Sequence, residues 1–395
     1  MQQEWVDGAG AGAGAEEPGD PLHETWRSVE SVVSPSAAAA LDPVDLVQAP
    51  GSEPNPADTT GPPVPDAPRP PVPDAPRPPV PDAPRPPVLD APRPPVLDAP
   101  WHSGNKPPMY PPVPQGLPAA GGDPDAAVLP DIVVDGAQYG PLTVRAVSVR
   151  GDSHRYLGEP RQDALCVTRI GGPGAGEMLL LAVADGVGSA LRSHIGSNEA
   201  CRLAAAYLDR VAGNLFTALE AGDGTAFAEL ADHVVGQIAV LLTDRAVRAG
   251  HDPGAYATTL RVLLVPVDPA VRTRGFLAVG DGGTSLLRDG AWQLDITGEE
   301  DEGSGMIDTR TAALPLARTA VTRLVGPVRP GDVLVLCTDG LSTPLAGEPR
   351  MREFLGAAWG SGAVPGPADF LWQAQFRVKS YDDDRTAVVL WEGGA

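Results

Sequence analysis

Seven Asp-Gly pairs occur in this 395-residue chain. An isolated Asp-Gly is ordinarily a turn, because both residues tolerate unusual backbone angles. Three of the seven stand apart. Asp185, Asp281 and Asp339 directly follow or end the apolar runs 178–184, 275–280 and 333–338. A carboxylate at the mouth of a buried strand is held rigidly and partly desolvated. Several such strand ends in one sheet would gather like charges, which repel and require a counter-charge. Hard divalent cations with oxygen ligands supply it. A fourth acidic site, Asp382-Asp383-Asp384, stands just before the last apolar run. On pattern alone, a metal cluster and a set of ordinary hairpin turns both remain open.

These carboxylates need elements to hold them. Residues 143–149 and 164–170 predict strands, with a Gly-rich hairpin loop at 171–176. Residues 178–184 form a continuous apolar run, the pattern of a strand buried on both faces. Residues 197–211 and 227–247 carry apolar side chains at helical spacing. Strands follow at 259–267, 275–279, 284–287, 333–337 and 386–391, with a helix near 369–376. Strands, then paired helices, then more strands argue for an α+β layered domain rather than alternating βαβ units. Residues 141–395 are enough for a full core.

Residues 1–140 predict a long disordered tail. From Pro62 the octad Pro-Pro-Val-Pro-Asp-Ala-Pro-Arg recurs through Pro100, with Leu89 and Leu97 replacing proline in the last two copies. Proline at this density removes ladder donors and fixes φ, favouring extended polyproline II. The stretch 62–100 reads as a stiff spacer or as a ligand for a proline-binding protein partner. A short helix fits residues 26–46.

Formal net charge is −22. Residues 1–140 hold 20 acids and 6 bases, or −14, and residues 141–395 hold 31 and 23, or −8. Two acidic halves argue against binding nucleic acid through its phosphate backbone. Cys166, Cys201 and Cys337 match no zinc or disulfide spacing. Cys166 and Cys337 sit inside apolar runs and read as small buried hydrophobes, which fits a reducing, cytoplasmic compartment. The first residues lack the basic-then-apolar pattern of a signal peptide, and no apolar run is long enough to span a membrane.

The motifs, taken in order, resemble those of the protein phosphatase 2C (PPM) family, closest to its bacterial branch. Gly151-Asp152-Ser153-His154 and Gln162-Asp163-Ala164 resemble its opening. Ala182 to Ser189 is similar to its central Asp-Gly-x-Gly motif, and Ala257-Thr258-Thr259-Leu260 to its Thr-Thr strand. Val279-Gly280-Asp281-Gly282 resembles its Gly-Asp motif, and Cys337-Thr338-Asp339-Gly340-Leu341 its later Asp-Gly motif. Asp383-Asp384-Arg385-Thr386 resembles its terminal motif. The resemblance spans about 240 residues.

This resemblance implies a four-layer α-β-β-α sandwich with Mg2+ or Mn2+ in a cleft at one end, two ions and in some members a third. It implies that Asp185 bridges two ions, that the Gly186 carbonyl binds one, and that Asp339 and Asp383 complete the first site. Asp281, with Asp339, would serve the third ion. Asp163 would hydrogen-bond metal-bound water. The implied reaction is hydrolysis of phosphoserine or phosphothreonine in proteins by a metal-activated water. A catalytically silent domain of the same fold, binding a phosphoprotein or scaffolding a complex, is the alternative.

Three departures matter. Gln162 stands where many relatives carry Glu, Gly158 where many carry a phosphate-binding Arg, and Val187 where eukaryotic relatives carry a His. His154, Arg155 and Arg161 are the candidate phosphate binders, and His154 is also a candidate proton donor. Lysine occurs only at Lys106 and Lys379, against abundant Ala, Gly, Pro and Arg. That bias suggests a GC-rich bacterial genome, where the family resemblance implies substrates of a Ser/Thr kinase.

Overall fold

The computed structural model describes residues 102–103, 108–111, 115–119, 123–172, 176–298 and 312–393. The octads at 62–100, the helix expected over 26–46 and part of the loop at 171–176 lie outside the described residues. The compact unit holding every element below is Leu89–Ala395.

In chain order, β1 (His102–Ser103) precedes α1 (Pro124–Val128), whose N-cap Asp123 accepts from the amides of Asp125 and Ala126. Next come β2 (Ile132–Tyr139), β3 (Leu142–Val149), α2 (Asp152–Leu157), β4 (Ala164–Ile170) and β5 (Met178–Ala184). Three helices follow: α3 (Ser193–Arg210), α4 (Ala212–Ala221) and α5 (Gly224–Arg248). Then come β6 (Leu260–Pro266), β7 (Arg274–Val279), β8 (Gly283–Arg288), β9 (Ala291–Gln293), β10 (Val321–Val325) and β11 (Val333–Cys337). The chain closes with α6 (Asp339–Gly347), α7 (Pro349–Trp359), α8 (Pro367–Ala374), β12 (Arg377–Val378) and β13 (Arg385–Glu392).

Two antiparallel sheets form the middle of the domain. One has the order β10-β7-β6-β5-β4, the other β2-β3-β13-β11-β8-β9. The pleat explains the unbroken apolar runs, since successive side chains point to opposite faces. On β5, Met178, Leu180, Ala182 and Ala184 pack with α3, α4 and α5. Leu179, Leu181 and Val183 face the other sheet. On β13, Val388 and Leu390 join that inner layer. Ala387, Val389 and Trp391 pack outward with α6, α7 and α8. The result is the expected α-β-β-α sandwich. Each fully buried Leu or Val contributes roughly 1.5–3 kcal/mol.

The helix α5 is long and apolar enough to cross a membrane by length and composition. Its Phe227, Val234, Val235, Ile238 and Leu242 are buried in the core beneath the first sheet, so its apolar face already has a partner.

The expected domain boundary at 141 falls inside a hairpin. Residues 132–139 pair with 142–149 along their whole length. The Asp135-Gly136 pair, which reads locally as a turn, lies inside β2, an edge strand with one partner. Further upstream, β1 pairs in parallel with β12. The amides of Gln115 and Gly116 donate to the Arg155 carbonyl.

Candidate carboxylate site at the sheet ends

Strand register brings the acidic residues to one end of both sheets. Ala164 pairs with Ala184, so Asp163 and Asp185 leave adjacent strands side by side. In the other sheet Cys337 pairs with Ala387. The Thr338 amide donates to the Thr386 carbonyl, bringing Asp339 alongside Asp383 and Asp384.

The Asp185 backbone is fixed from the neighbouring strand. Its N–H donates to Thr259 Oγ1 at 2.9 Å, and its carbonyl accepts from Thr258 Oγ1 at 2.9 Å and the Thr259 amide at 2.8 Å. The Thr-Thr motif is therefore a clamp on Asp185. The next residue has no room for a side chain. A Cβ on Gly186 would lie 2.8 Å from both the Gln162 carbonyl oxygen and Ser193 Cβ.

Asp163, Asp185 and Asp339 crowd one another with no ion pair among the described residues. Asp163 is 1 % exposed. Its Oδ2 accepts from Thr338 Oγ1 at 2.8 Å, while Oδ1 is buried with no hydrogen bond. Asp339 Oδ1 is likewise buried and unbonded. Burial, then the Asp384 charge, holds the Asp163 carboxyl well above the ordinary range. Burial, the charges of Asp163 and Asp339 and a contact with the Asp339 carboxyl push Asp185 up to about 12. Asp383, on the rim, is raised by burial and by Asp384. Unsatisfied buried oxygens are rare and costly. Two of them in a group of oxygen-only donors fit a hard divalent cation, which tolerates and needs such a ligand set.

The sequence reading underrated Asp384. Its side chain accepts from the Gly151 amide at 2.7 Å, from the Gln162 and Asp163 amides, and from His154 Nδ1 at 3.0 Å. With its oxygens so engaged, Asp384 anchors the loop that carries Asp163. The ligand atoms of His154, Asp383 and Asp384 lie within 4.8 Å of one another. Because Asp384 is spent on amides, Asp383 is the carboxylate of that trio left for a ligand. The run Asp382-Asp383-Asp384 marks the place, but the sequence alone does not say which of its side chains turns inward.

His154 lies 3.7 Å from Asp383 Oδ1 and 3.8 Å from Glu159 Oε2 through Nε2. Burial alone would lower its pKa. The Asp384 hydrogen bond and the charges of Asp384, Asp383 and Glu159 outweigh that and raise it to about 9. The imidazole is therefore cationic at neutral pH.

Arg161 does not face the cleft. It is 4 % exposed and donates to Ser148 Oγ at 2.6 Å and to the Asp163 and Pro130 carbonyls. Its guanidinium, expected as a phosphate binder, is consumed in supporting Asp163. Arg155 is held by Asp131 at 2.6 Å. Gln162 Oε1 accepts from Ser193 Oγ at 3.0 Å, tying the start of α3 to the same loop. Asp281 is exposed in the turn between β7 and β8, where a partly desolvated carboxylate was expected. Gly280 and Gly282, on either side of it, both adopt positive φ.

A family model described as protein phosphatase 2C matches residues 150–371. Among solved structures, the chain is similar to PppA, a regulatory component of the type VI secretion system in Pseudomonas aeruginosa, at 20 % identity over 65 % of this chain and 99 % of that one, with a TM-score of 0.41. It is similar to RsbX in complex with magnesium, at 14 % identity over 65 % and 98 %, with a TM-score of 0.39. It is also similar to the catalytic domain of the serine/threonine phosphatase PstP in complex with 2 manganese ions, at 23 % identity over 64 % and 99 %, with a TM-score of 0.43. No curated protein matches the chain in sequence.

Proposed function

The chain belongs to the protein phosphatase 2C family, and from that membership we propose that it hydrolyses phosphoserine and phosphothreonine in proteins with the help of Mg2+ or Mn2+. One observation carries the proposal. Asp163, Asp185 and Asp339 come together at the sheet ends with two buried carboxylate oxygens unbonded. In this reading Asp185, the Gly186 carbonyl, Asp339 and Asp383 hold two ions, and Asp281 with Asp339 serves a third. When bound, the ions supply positive charge that activates water and neutralises the phosphoryl oxygens.

The chain's own residues do the rest. Thr258 and Thr259 fix Asp185 so that no reorganisation is needed as charge develops. Thr338 occupies one oxygen of Asp163, leaving Oδ1 to accept a hydrogen bond from the attacking water. His154, protonated at neutral pH and oriented by Asp384, donates a proton to the departing serine or threonine oxygen. The substrates would be phosphoproteins made by a Ser/Thr kinase in the same cytoplasm.

The test is Mn2+-dependent release of phosphate from phosphothreonine peptides by the purified full chain, against the same protein in chelator. Release that Asp185→Asn abolishes supports the reading. Tight phosphopeptide binding without release would instead favour a silent, binding-only domain. A preference for small phosphate esters over every peptide would move the substrate class.

A further inference from the structure

A cavity of about 190 Å³ adjoins the carboxylate site and shares Asp383 with it. Four guanidinium groups line it: Arg150, Arg155, Arg377 and Arg385. Two carboxylates serve the first three. Asp131 holds Arg150 at 2.8 Å and Arg155 at 2.6 Å. Asp152 holds Arg377 at 2.6 Å and lies 3.7 Å from Arg155.

Arg385 is different. It is 7 % exposed and has no ion pair among the described residues. Its Nε donates to the Gly340 carbonyl at 2.9 Å, and its Nη1 to the Ala374 and Phe376 carbonyls. Nη2 makes no hydrogen bond among the described residues. A buried cation held only by carbonyl dipoles is incompletely compensated, and an anion is what completes it. A planar guanidinium suits carboxylate and phosphate oxygens alike.

The two other acids on the cavity wall do not fill that need. Asp383 accepts from the Asp384 amide and faces His154. Asp382 lines the same wall and forms no ion pair among the described residues. Trp372, 43 % exposed, adds an apolar wall against which the methylene stem of an acidic side chain can lie.

We propose that this cavity is a subsite for an anionic group of the substrate polypeptide, a carboxylate or second phosphate near the phosphorylated residue, received by Arg385 and Arg377. The inference rests on the phosphatase reading above and deepens it. It makes the protein selective for phosphorylated segments with acidic neighbours.

The experiment uses the full chain with Mn2+ and phosphothreonine peptides. One peptide has neutral flanks. Others carry a single Glu, or a single second phosphoserine, at each position within about three residues of the phosphothreonine, the reach of an extended chain. At one or more positions the anionic peptide should exceed the neutral one about tenfold in kcat/KM, mostly through KM, the scale of a charge-assisted hydrogen bond. A response to Glu alone assigns a carboxylate, and a response to phosphoserine alone a second phosphate.

In Arg377→Gln that ratio should fall toward one. Arg385→Gln should do the same, but it also removes the hydrogen bonds that the guanidinium donates to three backbone carbonyls, so its melting curve is recorded beside it. Arg377→Gln carries the test if Arg385→Gln unfolds. Equal kcat/KM for all peptides in the unsubstituted protein overturns the subsite, as does an acidic preference that survives Arg377→Gln. Absence of turnover on every peptide would instead sink the phosphatase reading. Dissociation constants for the same fluorescent peptides would then decide the subsite, and acidic peptides binding no tighter than the neutral one would overturn it.

Discussion

Replacing Asp185 by asparagine separates charge from shape at the centre of the cluster. Without metal, burial and the Asp163 and Asp339 charges push the Asp185 carboxyl up to about 12, far above the ordinary carboxylate range. The folded protein therefore holds a proton that the unfolded chain gives up. Stability from this group is fully present below the unfolded value and declines as pH rises from there toward the folded one. In chelator at pH 7, Asp185→Asn should melt higher than the unsubstituted protein. Added Mn2+ should raise the melting temperature of the latter far more. Turnover should drop more than tenfold, a barrier change above about 1.4 kcal/mol. A variant that keeps a tenth of kcat would remove Asp185 from the ion site. Asp384 makes a complementary case. Asp384→Ala strands buried donors from Gly151, Gln162 and Asp163, at about 1–3 kcal/mol for each one left unsatisfied. Asp384→Asn keeps an acceptor but loses the charge that raises His154. The high-pH limb of the rate profile should then move to lower pH, which a kcat–pH titration would read.

At the scale of elements, legibility tracked burial. The strands Met178–Ala184 and Val333–Cys337 could be drawn to the residue, because both of their faces are covered and every position is apolar, and Ala164–Ile170, an edge strand with Thr168 and Arg169, was bounded by the loops on either side. Edge strand β2 was missed because it is half-exposed and contains Asp135-Gly136. Helix α6 was missed because it begins at the Asp339-Gly340 pair and contains Pro344, both local signals against a helix. Of the candidate site, Asp185, Asp281, Asp339 and the Asp382–Asp384 run stand out by their places beside apolar strands, whereas Asp163 is singled out only by the family resemblance. The inward roles of Arg161 and Asp384 were not legible, since which side chain turns inward depends on cross-strand register. The element-scale prediction concerns the turn after β5. Gly186→Ala must push α3 or the Gln162 loop aside, since its Cβ would meet both at 2.8 Å. The domain should stay folded, with half-saturation in Mn2+ moved to higher concentration in a rate titration. An unchanged curve would mean that the loop yields without disturbing the ion site. Gln162→Glu probes the same loop. It keeps an acceptor for Ser193 and adds a charge, which should shift half-saturation the other way.

Over the whole molecule, the line between tail and domain is drawn by contacts rather than composition. Proline-rich composition predicts that everything before 141 is dispensable for chemistry. Yet Asp123 caps α1 and reaches Arg192 at 2.6 Å and His194 at 2.9 Å, just before and within the first turn of α3. Arg192 follows Asp185 and Gly186 by only a few residues, so Asp123 braces the segment that leaves the carboxylate site. Upstream, the Tyr110 carbonyl accepts from Arg377, and β1 pairs with β12. Two truncations should therefore behave differently. Removing residues 1–101 takes away the octads, whose composition buries little apolar surface to offset ordering entropy. It should leave the melting temperature and kcat on a generic phosphopeptide nearly unchanged. Removing residues 1–130 also deletes Asp123, strips Arg192 and His194 of their shared carboxylate, and leaves Arg377 one acceptor short. Losing one partly buried, multiply bonded carboxylate costs about 1–3 kcal/mol. In a domain of this size each kcal/mol lowers the melting temperature by roughly 2–4 °C. The longer truncation should melt several degrees lower and turn over more slowly. Asp123→Ala in the full chain should reproduce most of that loss. Equal melting curves for the two truncations would show that the brace at Arg192 contributes nothing, and would return the functional boundary to the start of β2.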